Sequence, residues 1–238
     1  MLFGGLQKLT TLDFPGVVSA LLFTQGCNFH CPYCHNRQLI PQRREHGEEA
    51  MPERENVLLF LQKRRDVLDG LVISGGEPLL QPDLKNFCRE VKTLGYKIKL
   101  DTNGSMPQRL AALLEENLLD YVAVDLKTSV ERYSPTLTND RAIGEKIAET
   151  FALLAKSATP FEARTTCFLP LTDAEALHAA ATVLPPDTPW LLQRGNIPKG
   201  LTQYGPRPLD REEETMLLHS LQGAVAHCKI AARSPFAA

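Results

Sequence analysis

The chain has 238 residues, of which 43% are hydrophobic and 23% are charged, as expected for a soluble globular protein with a sizeable core. Its 26 lysines and arginines nearly balance 28 aspartates and glutamates, and the net charge of −2 argues against a bulk electrostatic nucleic-acid binder. No apolar run approaches the ~20 residues of a membrane-spanning helix, and no secretory signal opens the sequence, so we expect a cytoplasmic protein without a membrane partner.

Strand-like and helix-like segments alternate along the sequence. Runs rich in β-forming residues predict strands at 17–23, 70–74, 96–100, 121–125, 161–169 and 189–193. Apolar residues at helical spacing predict helices at 53–67, 82–94, 106–117, 142–156, 174–183 and 211–227. This alternation predicts an α/β protein with a parallel sheet, organised as a single domain over residues 1–238. Periodicity alone leaves both a doubly wound sheet and a barrel open.

One irregular piece stands out between these segments. Residues 37–52 are rich in charge and Pro and follow a cysteine-rich stretch, which predicts a flexible lid or an insertion. Two basic runs, residues 43–44 and 63–65, are expected to be solvated faces, with docking of a partner as the alternative.

Cys27, Cys31 and Cys34 lie within eight residues, directly after the first predicted strand. Thiolates at this spacing, on a loop with Gly and Pro, predict one soft metal centre rather than a disulfide framework. A four-iron cluster takes four cysteines, so three would leave one iron open, and an open position is typical of catalytic metal sites. A Cys3His zinc site completed by His35 is the alternative, although His35 adjoins Cys34 and the two side chains point apart in an extended segment.

The other three cysteines are scattered along the sequence. Cys88 falls in a predicted helix, Cys167 falls in a predicted strand, and Cys228 closes the last predicted helix. Free cysteine is among the most often buried residues, so we expect all three to belong to the core.

The Cys-x3-Cys-x2-Cys spacing, with Tyr33 before the last cysteine, resembles the signature of the radical S-adenosylmethionine (SAM) superfamily. A second motif of that superfamily, Gly-Gly-Glu-Pro, is matched by residues 75–78, which follow the second predicted strand. Zinc binding would not explain this second motif. The resemblance therefore favours an iron–sulfur cluster, and it implies an open (β/α)6 partial barrel of the radical SAM type.

Further motifs resemble the activases of glycyl radical enzymes within that superfamily. The matching stretches are residues 6–9, 12–16, 23–28, 34–36, 101–104 and 125–127, with only 164–166 recognisable beyond them. The opening is most similar to the activating proteins of anaerobic ribonucleoside-triphosphate reductases. A small-molecule radical SAM enzyme, similar to 7-carboxy-7-deazaguanine synthase, is the alternative, and residues 12–16 and 34–36 favour the activase.

The resemblance implies a mechanism and partners. Cys27, Cys31 and Cys34 would hold three irons of a [4Fe–4S] cluster, and SAM would chelate the fourth through its amino and carboxylate groups. An electron from the cluster would split SAM into methionine and a 5′-deoxyadenosyl radical, which takes a hydrogen atom from a glycine Cα of another protein. The expected partners are a glycyl radical enzyme, for which anaerobic ribonucleotide reductase is the best match, and a flavodoxin or ferredoxin as electron donor.

The resemblance also assigns SAM contacts. Gly75 and Gly76 let the backbone approach the cofactor because they lack a Cβ, Glu77 faces the SAM amino group, and Lys127 and Arg164 pair with its carboxylate. Further contacts to SAM, to the cluster or to a monovalent cation are expected from Tyr33, His35, Asn36, Ser74, Asp101, Thr102, Asn103, Asp125 and Arg194. The alternatives are loop packing for Tyr33, turn and cap chemistry for Asp101 and Asn103, and an ion pair for Arg164.

Overall fold

The computed structural model describes residues 1–41, 52–196 and 205–233. The chain divides into two compact units, each built from separated segments. The first unit comprises Met1–Asn28, Asn36–Thr102 and Gln108–Ala123, and the second comprises Phe29–His35, Asn103–Pro107 and Val124–Ala238. Most of the predicted lid and both residues of the basic run 43–44 lie outside the described residues. The expectation of one domain over residues 1–238 stays a prediction.

The strands are β1 (Phe3–Thr10), β2 (Ser19–Thr24), β3 (Gly70–Gly75), β4 (Lys97–Thr102), β5 (Tyr121–Asp125), β6 (Phe161–Leu169), β7 (Pro189–Arg194), β8 (Arg207–Pro208) and β9 (Lys229–Arg233). The α-helices are α1 (Arg54–Lys63), α2 (Leu84–Thr93), α3 (Pro107–Leu114), α4 (Ile143–Lys156), α5 (Ala174–Ala180) and α6 (Arg211–Ala224). Among the described residues, no helix has the length and apolar character needed to cross a membrane.

The first unit is built on strands β1 to β4, which neighbour each other in that order. β1 runs antiparallel to β2, whereas β2, β3 and β4 are parallel. Leu21 pairs with Val72 across β2 and β3, and both side chains join Phe14 in a buried cluster. Since parallel neighbours end at the same edge, the last residues of β2, β3 and β4 (Thr24, Gly75 and Thr102) lie along one side of this sheet.

The second unit contains β6, β7 and β9, which are parallel, and β8, which pairs with β6 in the opposite direction. Helix α4 packs through Ile143, Ile147, Phe151 and Leu154, spaced at the helical period. Helix α6 begins with a capping box, in which Asp210 and Glu213 each bond the other's backbone N–H. The repeated strand–helix order fits the predicted α/β class.

The predicted strands and helices are all present, with ends shifted by a few residues. β1, β8 and β9 are not among the predicted strands. Cys88 and Cys167 are buried, as predicted, with 0% and 3% exposure. The prediction for Cys228 is wrong on both counts, because α6 ends at Ala224 and Cys228 is only half-buried just before β9.

Candidate active site

The cysteine-rich loop begins in the first unit, where β2 ends at Thr24. Gly26 N–H donates to the carbonyl of Leu39 at 2.7 Å, and Cys27 N–H donates to that of Ile40 at 3.0 Å. Gln25 bonds the carbonyls of Gln38 and Pro41 through its side-chain amide. The backbone before Cys27 is therefore held against residues 38–41, and the Cys27 thiol is half-buried.

The loop continues in the second unit with Cys31 and Cys34. Cys34 N–H donates to the carbonyl of Cys31 at 3.1 Å, which closes a tight turn around Pro32 and Tyr33. His30 N–H donates to the carbonyl of Leu137 at 2.8 Å, so the loop is also attached to a later part of the same unit. Cys31 is buried and Cys34 is half-buried.

The three cysteines of the loop, all of them described, form no disulfide. Burial raises the pKa of the Cys31 thiol, while the nearby Lys127 ammonium opposes that shift. Thiolate is the form that binds iron, and a cation nearby favours it. Within the described ranges no three His, Cys, Asp or Glu side chains are gathered as a metal site. The fit to a soft metal centre thus rests on three cysteines at this spacing outside any disulfide.

Tyr33, between two of these cysteines, is buried and stacks on Phe168 of β6. Burial raises the pKa of its phenol, so the ring stays neutral at physiological pH. His35, by contrast, is exposed, and Asn36 occupies the N-cap position of a single 3-10 turn at Arg37–Leu39. The ring of Tyr33 takes part in loop packing, the alternative that the sequence leaves open.

The glycine motif lies in the first unit, directly after β3, and contacts the start of the cysteine loop. Gly76 N–H donates to the carbonyl of Thr24 at 3.0 Å, and Glu77 N–H donates to that of Gly26 at 2.8 Å. A Cβ on Gly76 would lie 2.1 Å from the carbonyl oxygen of Gly26. Gly75 has a φ of +111°, and a Cβ there would lie 2.4 Å from Thr24 N. Only glycine fits either position. Ser74, half-buried, accepts a bond from the Thr24 hydroxyl through its carbonyl.

Glu77 is wholly buried in the first unit. Its Oε1 accepts from Leu79 N–H at 3.0 Å and from the Thr102 hydroxyl at 2.8 Å. The first bond caps the short turn Pro78–Leu80, and the second ties the motif to the end of β4. Glu77 therefore positions the carboxyl ends of two neighbouring strands.

Sequence reasoning misses Lys99 as a candidate. Its Nζ lies 2.8 Å from Oδ1 of Asp101, and the two side chains are only 1% and 10% exposed. The ammonium also lies 5.9 Å from the centroid of the Tyr121 ring. The alternating lysines of β4 suggest a solvated face, which holds for exposed Lys97 but not for Lys99. The carboxylate two residues along the strand is the signal that could have identified it.

Asn103, in the second unit, is buried and accepts from Ser105 N–H at 3.0 Å through its side chain. Gly104 between them has a φ of +75°, and its carbonyl accepts from the Thr150 hydroxyl at 2.8 Å. The Asn103 side chain thus forms an Asx turn, the alternative considered for it.

Asp125, Lys127 and Arg164 form one cluster in the second unit. Arg164 Nε and Nη2 lie 3.1 and 3.0 Å from Asp125 Oδ1, and Lys127 Nζ lies 3.3 Å from Oδ2. Burial would raise the pKa of Asp125, but the two cations outweigh it and lower that pKa. Burial would likewise lower the pKa of Lys127, yet Asp125 and Cys31 leave it well above its usual value. One carboxylate between two cations leaves a net positive charge close to Cys31.

Arg194 ends β7 and is half-buried. The next residue, Gly195, packs so closely on Phe168 that a Cβ would lie 2.3 Å from its ring. The predicted site residues divide between the two units. The first unit contains Cys27, Asn36, Ser74–Glu77, Asp101 and Thr102. The second unit contains Cys31, Tyr33, Cys34, His35, Asn103, Asp125, Lys127, Arg164 and Arg194.

Comparison with known proteins gives a family match. Residues 21–183 match the family model described as the Radical SAM superfamily. A protein of Methanocaldococcus jannaschii, named as a candidate glycyl-radical enzyme activating enzyme, is 34% identical over 184 residues, which cover 76% of this chain and 74% of the relative.

Two other relatives match over shorter stretches. The pyruvate formate-lyase-activating enzyme of Staphylococcus aureus is 38% identical over 100 residues, 41% of this chain and 39% of that enzyme. The 7-carboxy-7-deazaguanine synthase of Methanopyrus kandleri is 35% identical over 132 residues, 48% of this chain and 51% of that enzyme.

Among solved structures, a radical SAM methyltransferase from Sphaerobacter thermophilus superposes with a TM-score of 0.64 at 16% identity, covering 95% of this chain and 69% of that chain. At this identity the likeness concerns the fold alone. Together with the family match, it confirms the radical SAM fold class that the sequence predicts.

Proposed function

Because the chain belongs to the radical SAM superfamily and is an enzyme of the radical SAM oxidoreductase type, we propose that Cys27, Cys31 and Cys34 hold a [4Fe–4S] cluster with one open iron for SAM. When bound, these groups supply one-electron cleavage of a carbon–sulfur bond of SAM. Two features of the residues fit them. The three cysteines form no disulfide, and the Lys127 ammonium opposes the rise that burial gives to the pKa of the Cys31 thiol.

The SAM contacts in the proposal follow from what each unit offers. In the first unit, Gly75 and Gly76 present backbone without side-chain bulk directly after Ser74, and Glu77 holds that backbone against the end of β4 at Thr102. Asp101 adds a carboxylate that is nearly buried. The backbone of Ser74, Gly75 and Gly76 would bind the amino side of SAM, and the Asp101 carboxylate would accept from its ribose hydroxyls, because both parts of SAM carry hydrogen-bond donors.

In the second unit, the cluster of Asp125, Lys127 and Arg164 has one positive charge more than it has negative charges. A carboxylate is the group that such a surplus attracts, and Arg offers it a bidentate fork. The carboxylate of SAM would therefore bind here. Tyr33 would contact the adenine through its backbone, because its ring packs on Phe168, and His35 and Asn103 would add further contacts to SAM.

The single observation that supports a particular reaction is the similarity to the relative from Methanocaldococcus jannaschii, which matches over 74% of its own length. We propose that the chain activates a glycyl radical enzyme by removing a hydrogen atom from one glycine Cα. Anaerobic ribonucleotide reductase is the proposed partner, on the likeness of residues 6–16 to activating proteins of that reductase. A flavodoxin or ferredoxin would supply the electron, and cysteine thiols kept for iron suit the cytoplasm.

The experiment is an isotope transfer under anaerobic conditions. The chain is reconstituted with iron and sulfide, then incubated with SAM, a reductant and an anaerobic ribonucleotide reductase made with Cα-deuterated glycine. We expect about four irons per chain, as for a [4Fe–4S] cluster, and deuterium in the 5′-deoxyadenosine produced. Unlabelled 5′-deoxyadenosine with every glycyl radical enzyme tried would overturn the activase proposal.

A second candidate is a radical SAM enzyme that acts on a small molecule. The specific support is the 35% identity to the 7-carboxy-7-deazaguanine synthase of Methanopyrus kandleri over 132 residues. A turnover assay with the substrate of that synthase, read out as 7-carboxy-7-deazaguanine, separates the two candidates. Formation of this product would favour the synthase, and its absence beside deuterium transfer would favour the activase.

A further inference from the structure

Lys99 is a buried cation that the proposed function does not use. It lies inside β4 of the first unit with 1% of its side chain exposed. Its ammonium bonds Asp101 Oδ1 at 2.8 Å, and the Tyr121 ring lies at 5.9 Å. A buried ammonium is retained only when a partner compensates the loss of water, and here the carboxylate and the ring face do so.

The position of this ammonium bears on the cation expected at Asp101. The sequence resemblance assigns Asp101 and Asp125 to SAM or to a free monovalent cation. In the first unit, Lys99 already places a positive charge on Asp101, so a second cation there would be repelled by the ammonium. The residues around Asp101 therefore do not fit a free cation.

The residues around Asp125, in the second unit, do not fit a free cation either. Both of its carboxylate oxygens are engaged, Oδ1 by Arg164 and Oδ2 by Lys127. Each oxygen of the Asp125 carboxylate therefore already faces a positively charged side chain. Each carboxylate that the resemblance offers to a free cation is thus neutralised by the chain's own side chains.

We propose that Lys99 is a positioning residue whose ammonium replaces a free monovalent cation at Asp101, so that this chain binds SAM without K⁺ or Na⁺. The proposal rests on the SAM site of the proposed function. Removing the Lys99 ammonium would then create a need for an added small cation.

The first measurement is the SAM dissociation constant of the reconstituted chain in choline chloride and in KCl or NaCl of equal ionic strength. We expect a difference of less than twofold for the unaltered protein. Lys99→Met is expected to bind SAM at least tenfold more weakly in choline chloride, with recovery in KCl or methylammonium chloride. Lys97→Met, at the exposed first residue of the same strand, is the matched control and should behave like the unaltered protein.

A second measurement needs neither cluster nor SAM. The melting temperature of the metal-free chain is recorded in the same salts. K⁺ should raise it for Lys99→Met, while the unaltered protein and Lys99→Arg should not respond. If Lys99→Met does not fold, the unaltered protein and Lys99→Arg decide the question by the same comparison.

The outcomes separate this proposal from the proposed function. Tenfold tighter SAM binding by the unaltered protein in KCl, or a rise in its melting temperature specific to K⁺, would overturn the role of Lys99 and leave the SAM enzyme intact. Failure to bind iron or to cleave SAM in any salt would overturn the proposed function. The melting temperatures of the metal-free chains would still test Lys99.

Discussion

Tyr33 stacks face to face on Phe168, with ring centroids 4.6 Å apart and an interplanar angle of 16°. Tyr33 belongs to the cysteine loop, and Phe168 is a wholly buried residue of β6. Gly195 packs on the same phenylalanine ring, where a side chain would not fit. A core side chain thus supports the loop between Cys31 and Cys34, and loop stability is coupled to β6.

Replacing Phe168 with Leu should weaken this loop. The variant loses the ring stacking and leaves a small cavity, which together cost about 1–3 kcal/mol. Urea denaturation of the metal-free chain measures the loss, and iron content after reconstitution measures its effect on the loop. Phe161→Leu, at a half-buried position of the same strand, is the control. Equal stability and equal iron content of Phe168→Leu and the unaltered chain would refute the coupling.

Gly76→Ala should disrupt the contact between the glycine motif and the cysteine loop. The new Cβ would lie 2.1 Å from the Gly26 carbonyl oxygen, so the backbone must move. We expect loss of SAM binding and a free energy of unfolding lowered by roughly 1–3 kcal/mol, as for other backbone clashes. Isothermal titration with SAM and urea denaturation provide the two readings.

Gly223→Ala is the matched control for this glycine. Gly223 lies within α6, and in the described part of the chain no other element comes within 4 Å of where its Cβ would be, so alanine meets open space. Because alanine favours the helix, this variant should be more stable by about 0.5–1 kcal/mol. If Gly76→Ala bound SAM and resisted urea as well as Gly223→Ala does, the close approach of the glycine motif to Gly26 would not be required for stability or for SAM binding.

Arg164→Met should weaken SAM binding at least tenfold. The substitution removes the surplus positive charge around Asp125, on which the proposed carboxylate contact depends. Arg132→Met removes a more exposed ion pair with Asp173 and serves as control, with an expected cost of at most about 1 kcal/mol in stability. SAM dissociation constants for both variants make the comparison. Unchanged affinity in Arg164→Met would exclude the surplus charge as the carboxylate site.

The lowered pKa of Asp125 predicts a contribution to stability that is lost in acid. Burial opposes ionisation, but Lys127 and Arg164 lower this pKa in the folded state below its unfolded value. The stabilising effect is complete above the unfolded pKa of about 3.9 and is lost as the pH falls through the folded value. Asp125→Asn should therefore flatten the decline of stability below about pH 4. Urea midpoints measured across that range provide the test, and an identical decline in both proteins would contradict it.

Much of the fold follows from local pattern, because β2 to β7 and α1 to α6 are each long enough to show a strand or helix period. β1 escapes prediction because Phe3–Thr10 contains adjacent glycines and no clear alternation. β9 is a short segment with two alanines, and its strand character depends on pairing with β7. Such strands are determined by their neighbours rather than by their own residues.

The candidate site divides in the same way. The cysteines and the glycine motif are visible as spacings, because their chemistry requires residues close in sequence. Lys99 is not visible as a site residue, since a lysine in an alternating strand normally faces water. The pairing of Arg164 with Asp125 joins residues 39 positions apart, which a sequence without contacts cannot show.

The proposed activity of this chain is the creation of a glycyl radical on another protein. The most direct measurement is electron paramagnetic resonance of an anaerobic ribonucleotide reductase after incubation with the reconstituted chain, SAM and a reductant. We predict a glycyl radical signal with the unaltered chain and with Cys228→Ala, and none with Cys31→Ala. Cleavage of SAM by the unaltered chain with no radical on that reductase or on any other glycyl radical enzyme would contradict the account.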